Sequence, residues 1–459
     1  MNNNDELNLD RPLIGWYGDD FTGAAAVMEA LTFGGFPSVL FRQLPTPAQM
    51  EKFKDMRGIG IAGIARAMPP QWMDEHLPPI YAFLDELGVP VLHYKTCSTL
   101  DSSPETGSIG RAIELGLQQR SSRWVPMLVA APAIRRFQAF GHLFAAAGEA
   151  VYRLDRHPVM SCHPSTPMHE SDVCKHLQAQ TDLPMGLIDV EQLQTEAGAD
   201  DALMQRGQAQ VISLDTVDDK TLLACGRLIW NNRGDGLFAA GSQGIEYALV
   251  RYWQELLNNQ EVATDIGGAE SVDQLLIVSG SVSAGTAEQI EHARGCGAVG
   301  VPIPPEMAFA VADERESLMQ VLTVQVLDTL ETGQDVALYS AMGPDDPAVA
   351  GFNQLLSESS LDVHQATQQL GAATGEILRR VLDVHPMKRV AVCGGDTSGH
   401  VMNVLDIFAF TALAAVVPGG SLVRAHSDNP AFDGLQLTLK GGQMGPVDFF
   451  QRIKIGSSD

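Results

Sequence analysis

Short apolar runs, each broken by a glycine- or hydroxyl-bearing turn that opens a helix, recur through this chain and constrain its fold more than any other feature. LIGWYG at 13–18 gives way to AAAVMEALTFGG, which carries helical periodicity and stops at two glycines. PSVLF, GIGIAG, a helix from about Gln71 to Leu87, PVLHYKTC, the helical SIGRAIELGLQQ, VPMLVAAPA, MGLIDV and AQVISLD follow in order. A continuous apolar run such as VPMLVAAPA reads as a parallel strand buried on both faces. Strand, helix and strand at this cadence predict an α/β fold with a doubly wound parallel sheet.

A chain of 459 residues is too long for one ordinary core. After a helix around Ile245–Leu257 comes NNQEVATDIGGAESVD, polar, glycine-bearing and without apolar periodicity. The expected division is an N-terminal domain at 1–257, a linker at 258–272 and a C-terminal domain at 273–459. The second domain restarts with QLLIVSGS. It continues through ALYSA, a long helix in the 360s and 370s, RVAVCGG, a helix from about Val401, AAVVPGG and LQLTLKGG. The sequence carries no internal repeat.

A net charge of −26 argues against nucleic acid as a partner, because phosphate backbones call for clustered Lys and Arg. It leaves room for a small anion in a local basic pocket. No stretch approaches the 18 apolar residues that a membrane span needs. MNNNDELNLDRP is polar and acidic, unlike a signal peptide, and a cytoplasmic protein is expected. The six cysteines (97, 162, 174, 225, 296 and 393) are scattered without a CxxC pair, which suits reduced thiols. His157, Cys162, His163 and His169 gather in one proline-rich stretch, but their spacing matches no zinc pattern.

IGWYGDDFTG at 14–23 ends a strand on two adjacent carboxylates, Asp19 and Asp20. In an open α/β sheet ligands bind at that edge, so the pair points to a hydroxyl, ammonium or metal partner. Asp20 as a plain helix cap is the bland alternative. HYKTCSTLDSSPETGSIGR at 93–111 puts Lys95 at a strand end, then hydroxyls including Ser98, then Arg111 early in a helix; it reads as a carboxylate cradle or a serine-rich loop.

The second half carries four glycine-bearing strand ends: SGSVSAGT at 279–286, VAVCGGDTSGH at 390–400, VVPGGS at 416–421 and LKGGQMG at 439–445. Glycines let backbone amides approach an anion, and a helix N-terminus adds positive potential. Thr397 and Ser398 supply hydroxyls, while Asp396 suits Mg²⁺ or a ribose hydroxyl. Converging along one sheet edge, such loops would make a nucleotide cleft. There is neither GxxxxGK[ST] nor GxGxxG after a strand, so the nucleotide would be held in some other way.

Together these segments resemble the four-carbon acid sugar kinase family, formerly a domain of unknown function. YGDDFTGA, VAAPA, HPSTPMHESD, SGSVSAGTAEQI, CGGDTSG, VPGGS and LKGGQMGPVDFF follow its motifs in order across nearly the whole chain. The resemblance implies an enzyme of carbohydrate metabolism with two α/β domains, each on a mostly parallel sheet with flanking helices, and its active site in the interdomain cleft. ATP with Mg²⁺ would phosphorylate a hydroxyl of a short sugar acid. A homodimer is left open.

Asp20 would be the base and Asp19 the orienting carboxylate, with the two exchangeable; Thr22, Lys95, Ser98 and Arg111 would complete the acid side. Ser281, Ser283, Gly394, Gly395, Asp396, Thr397, Ser398, Gly419, Gly420, Gly441 and Gly442 would fall on the nucleotide side. The chain departs from the family pattern at Ala26 and Cys97, where the family commonly has Asp, and at Asp101, where it has Arg. Those changes suggest an oxo or branched acid, such as an oxo-isoapionate, rather than plain erythronate or threonate. Competing readings are a nucleotide- or acid-binding protein without catalysis, and a metal-dependent lyase or hydrolase with Asp19 and Asp20 as ligands.

Overall fold

The computed structural model describes residues 7–257, 268–417, 420–441 and 444–457, in two compact units, Met1–Thr264 and Asp265–Asp459. Residues 258–267 of the expected linker lie outside the described residues.

Unit 1 contains β1 (Ile14–Gly18), β2 (Ser38–Phe41), β3 (Gly58–Ala62), β4 (Val91–Lys95), β5 (Val125–Leu128), β6 (Arg136–Ala139), β7 (His142–Ala147), β8 (Ala150–Arg153), β9 (Met185–Ile188), β10 (Val211–Leu214) and β11 (Leu237–Gly241). Its main sheet runs β2-β3-β1-β4-β11-β5-β10-β9, all parallel. Every residue of β1, β4 and β11 is buried, as expected for central parallel strands covered on both faces. Burying each large apolar side chain there contributes roughly 1.5–3 kcal/mol. β6, β7 and β8 form a separate antiparallel sheet that the sequence reading did not anticipate. Asp215, just beyond β10, clips it in place by accepting from Gly141 N at 3.0 Å and Gln138 Nε2 at 3.1 Å.

Unit 2 contains β12 (Leu276–Ser279), β13 (Val299–Pro302), β14 (Val336–Tyr339), β15 (Arg389–Cys393), β16 (Ile407–Val417), β17 (Gly420–Ser427) and β18 (Gln436–Lys440). The order β13-β14-β12-β15-β18 is parallel, while β17 runs antiparallel to β18 and to β16. The strands that carry the two ends of VVPGGS, β16 and β17, are therefore antiparallel partners, with Val417 opposite Gly420. Because β17 runs backward, its start at Gly420 still lies at the edge where β18 ends at Lys440.

Both units use one topological device. In unit 1 the chain leaves β1 for β2 and β3 on one side, then crosses to β4 on the other. Unit 2 does the same with β12, then β13 and β14, then β15. Each order creates a switch point, between β1 and β4 and between β12 and β15, where the following loops diverge and leave a crevice. The chain thus repeats a topology without repeating a sequence. Among the described residues, no helix is long and apolar enough to cross a membrane.

Candidate functional site

The crevice of unit 1 lies between the ends of β1 and β4, where Gly18 pairs with Lys95 and Asp19 N donates to Lys95 O at 2.9 Å. Asp20 caps the helix Phe21–Phe33, its Oδ1 accepting from Gly23 N at 2.8 Å. Asp19 is buried, whereas the Asp20 side chain keeps 27% of its surface exposed. The chain then brings in a residue that sequence reasoning missed, Arg66, on a short turn after β3. Its Nη2 lies 2.6 Å from Asp20 Oδ1 and 3.3 Å from Asp19 Oδ1, and its Nη1 lies 4.0 Å from Asp101 Oδ2.

Lys95 is fully buried, with Nζ donating to Thr96 O at 2.5 Å. A Cβ on Gly23 would stand 2.5 Å from Asp20 Oδ1 and 2.9 Å from Lys95 Nζ, so only glycine lets the carboxylate and the ammonium share the first turn of this helix. Beyond Lys95, Thr99 Oγ1 donates to Asp101 Oδ1 at 2.7 Å and lies 3.0 Å from Cys97 Sγ.

Electrostatics follow from this packing. Burial pushes the Asp19 carboxyl above its ordinary range, against the pull of Arg66 and Lys95, and Asp20 pushes it further up. Burial works against charge on Arg66, but Asp19, Asp20 and Asp101 outweigh it and hold the guanidinium firmly protonated. Burial likewise lifts Tyr17, beside the crevice, to about 12.

Other expected residues sit elsewhere in unit 1. Thr22 is exposed on the first helical turn, and Ser98 is half-buried in the loop after β4. Arg111 is engaged with Asp74 of the neighbouring helix Pro70–Glu86 at 2.6 Å and with Glu114 of its own helix at 2.7 Å; the guanidinium at the Asp pair belongs to Arg66 instead. His157 Nδ1 accepts from Val159 N and Met160 N, and His163 Nδ1 from Thr166 N, so both rings brace their own loop.

In unit 2 the crevice lies between β12 and β15, where Ser279 pairs with Cys393 and Gly280 N donates to Cys393 O. Gly394 adopts φ +107 and opens the helix Gly395–Val404. This helix starts about six residues earlier than expected, so Asp396, Thr397 and Ser398 stand on its first turn and not in a loop. The first-turn amides are thus presented at the crevice, the arrangement that favours an anion. This helical turn touches the loop after β12: a Cβ on Gly280 would meet Thr397 Oγ1 at 2.0 Å. Above Gly395 there is open space, and Asp396 is exposed.

Ser281, Ser283 and Thr286 form a hydroxyl chain, with Ser281 Oγ to Ser283 Oγ at 3.2 Å and Ser283 Oγ to Thr286 Oγ1 at 3.0 Å. It ends on a second residue that sequence reasoning had not singled out. Lys440, buried at the end of β18, donates from Nζ to Thr286 Oγ1 at 3.1 Å. Burial lowers its ammonium below the ordinary lysine range. Gly441 follows it directly, and Gln289 Nε2 donates to the carbonyls of Met444, Gly445 and Pro446, pinning the far side of that loop. Gly420 opens β17, while Gly419 and Gly442 lie outside the described residues.

Comparison with known proteins assigns the same division of labour. Residues 14–249 match the family described as a sugar-binding N-terminal domain, and residues 276–450 match the nucleotide-binding C-terminal domain. The chain is 43% identical over 450 residues to the 3-oxo-isoapionate kinase of Paraburkholderia graminis, covering 97% of this chain and 94% of that protein. It is 28% identical to the 3-oxo-tetronate kinase of Pectobacterium atrosepticum, covering 96% and 98%. A crystal structure of a Haemophilus influenzae protein of family DUF1537 superposes with a TM-score of 0.76 at 22% identity, covering 96% and 98%, and supports the fold. With a buried carboxylate–guanidinium group in one unit and a glycine-lined helix terminus in the other, this chain belongs to the four-carbon acid sugar kinase family.

Proposed function

We propose that this kinase transfers the γ-phosphoryl group of ATP to a hydroxyl of a short branched oxo acid, of the kind named for its relative, 3-oxo-isoapionate. The observation that carries the reading is the Arg66–Asp20–Lys95 group at the β1/β4 switch point. Two cations suit a substrate carboxylate, and an accessible aspartate beside them suits a hydroxyl proton. Asp20 is the base because its carboxylate is the exposed one of the pair; buried Asp19 holds Arg66 in place. Asp101, where the family pattern has Arg, removes one positive charge from the acid side and leaves a hydroxyl-accepting carboxylate. That exchange favours an acid with an added hydroxyl or branch.

Phosphoryl transfer depends on positioning and charge more than on covalent chemistry by the protein. The first-turn amides of the Gly395–Val404 helix and the Ser281–Ser283–Thr286 hydroxyls receive the phosphates, with Lys440 supplying the ammonium that a P-loop lysine supplies elsewhere. Among the described residues no three His, Cys, Asp or Glu side chains gather as a metal centre, so Mg²⁺ is expected to arrive with the nucleotide. Exposed Asp396, on that first turn, fits as its single protein carboxylate. When bound, Mg²⁺ neutralises charge on the phosphates.

The test is ADP release from Mg-ATP across 3-oxo-isoapionate, 3-oxo-tetronates, erythronate and threonate. Preferential turnover of the branched oxo acid is expected. Tight ATP binding without turnover of any of these acids would overturn the reading.

A further inference from the structure

Resting on the kinase reading, we propose that Ser102, His176 and Gln180 are positioning residues for the acid, forming a latch that holds the segment after β4 at the crevice of unit 1. The segment runs from Thr96 to Ser108, carries Thr99 and Asp101, and ends at the cap of the helix Ile109–Gln119. His176 stands on the short helix Val173–Gln178, and Gln180 comes just after it.

Gln180 orients the latch. Its Oε1 accepts from Ile109 N at 2.8 Å and Gly110 N at 3.2 Å, which turns its amide nitrogen toward the segment. There Nε2 donates to Ser102 Oγ at 3.0 Å, and His176 Nε2 lies 2.9 Å from the same hydroxyl. Ser102 Oγ gives its one proton to Leu100 O at 2.9 Å, so it accepts from both Gln180 and a His176 Nε2–H. Burial pushes the His176 ring below the ordinary histidine range, against the pull of the Leu100 carbonyl, Glu170 and Asp101. A neutral imidazole thus holds the buried hydroxyl without bringing a charge to it.

What the latch holds is the turn at Leu100. That residue is fully buried with φ +55, a left-handed conformation that an L side chain adopts only at a cost. Ser102 Oγ fixes its carbonyl, and His176 and Gln180 fix Ser102. The turn in turn sets where its two neighbours point. Thr99 Oγ1 donates to Asp101 Oδ1 at 2.7 Å, and Asp101 Oδ2 stands 4.0 Å from Arg66 Nη1.

The far end of the segment is fastened to the turn that carries Arg66. Gly107 N donates to Met68 O at 2.9 Å, and at φ +62 a Cβ on Gly107 would stand 2.5 Å from Arg66 O. One segment therefore joins the latch, Asp101 and the Arg66 turn, while no latch bond enters the pairing of β4. Opening the latch should loosen acid recognition and leave the sheet intact.

The test compares Ser102→Ala and His176→Leu, which each remove one partner, with His176→Gln, whose amide can still donate to Ser102. Gln180→Glu keeps an acceptor for the Ile109 and Gly110 amides but has no N–H for Ser102. Steady-state kinetics with Mg-ATP and 3-oxo-isoapionate are run on the full chain beside melting curves and amide hydrogen exchange. KM for the acid is expected to rise about fivefold or more in Ser102→Ala, His176→Leu and Gln180→Glu, with KM for ATP within about twofold of the parent. Exchange at residues 97–103 should quicken in the same variants, and His176→Gln should recover most of the parent's acid KM. Unchanged acid KM in folded Ser102→Ala and His176→Leu overturns the proposal, and so does a parallel rise of both KM values. Equal losses in His176→Gln and His176→Leu would reduce that residue to packing and overturn it as well. If the parent chain phosphorylates no sugar acid while exchange at residues 97–103 quickens in Ser102→Ala, the latch stands and the kinase reading falls.

Discussion

Arg66 Nη2 lies 2.6 Å from Asp20 Oδ1, the same oxygen that caps the Phe21–Phe33 helix by accepting from Gly23 N. One atom therefore serves helix formation and charge pairing together. Asp20→Asn keeps a capping oxygen but removes the charge. It should leave the melting temperature almost unchanged while cutting kcat at least about a hundredfold. Asp20→Ala should in addition lose about 1 kcal/mol of stability through the missing cap. Undiminished ADP release by the Asn variant would move the base elsewhere.

Arg66→Met leaves buried Asp19 without its guanidinium. The Arg66 side chain is 28% exposed, so the loss should fall between the limits for surface and buried pairs, about 2 kcal/mol by urea unfolding. KM for the acid should rise about tenfold or more, with KM for ATP unmoved. Adding Asp19→Asn to this variant should restore much of the stability and none of the acid affinity.

Asp19 also sets a pH dependence. Its carboxyl is raised on folding, so the folded chain holds a proton that the unfolded chain releases. The favourable contribution is complete below the unfolded value of about 3.9 and is lost as pH rises through the raised folded value. At neutral pH the charged form is therefore a cost. Asp19→Asn should flatten the acid limb of the stability curve and match or exceed the parent's melting temperature at pH 7, while turnover collapses. A lower melting temperature at neutral pH would contradict this account.

Two glycines of the nucleotide side separate crowding from occupancy. A methyl at Gly280 would stand 2.0 Å from Thr397 Oγ1, so Gly280→Ala must push the loop after β12 and the first turn of the Gly395–Val404 helix apart. At Gly395 the methyl meets open space. Gly280→Ala should lower the melting temperature and raise KM for ATP together. Gly395→Ala should leave the fold intact, or slightly firmer through better helix propensity, and raise KM for ATP alone. Steady-state kinetics with saturating acid, run beside melting curves, distinguishes the two.

The strands bearing the chemistry were legible because parallel strands buried on both faces are written as unbroken apolar runs. IGWYG, VLHYK and RVAVC have no competing periodicity, and all three are strands that end at a crevice. What escaped had weaker local signals. RFQA, HLFAAA and AVYR make an antiparallel sheet held by long-range bonds to Asp215, which no local pattern announces. The helix at Gly395 was placed late because glycine has poor helix propensity, whereas here three glycines stand in or beside its first turns. VVPGGS has the look of any apolar run meeting glycines, and only pairing reveals antiparallel partners.

Site residues divided in the same way. Asp19, Asp20 and Lys95 were readable because they sit where an apolar strand stops. Arg66 was not, since GIARAM offers a lone arginine among small residues. Its importance comes from β3 lying next to β1, a fact of sheet order. Arg111 drew attention by its place early in a helix, but neighbouring carboxylates on Asp74 and Glu114 claim it.

The crossover at β1 and β4 has a consequence for how such an enzyme changes its diet. Residues 96–101 hang beyond the last paired residue of β4, so their exchange leaves every register in the sheet untouched. Within that segment the half-buried Cys97 and Ser98 are the positions whose exchange disturbs the core least, whereas Thr96 and Leu100 are fully buried. The glycine-bearing loops of unit 2 hang from other strands, β12, β15 and β18, and such an exchange leaves their pairing untouched. A new acid can thus be adopted by editing one short segment, and laboratory retuning of specificity should begin there.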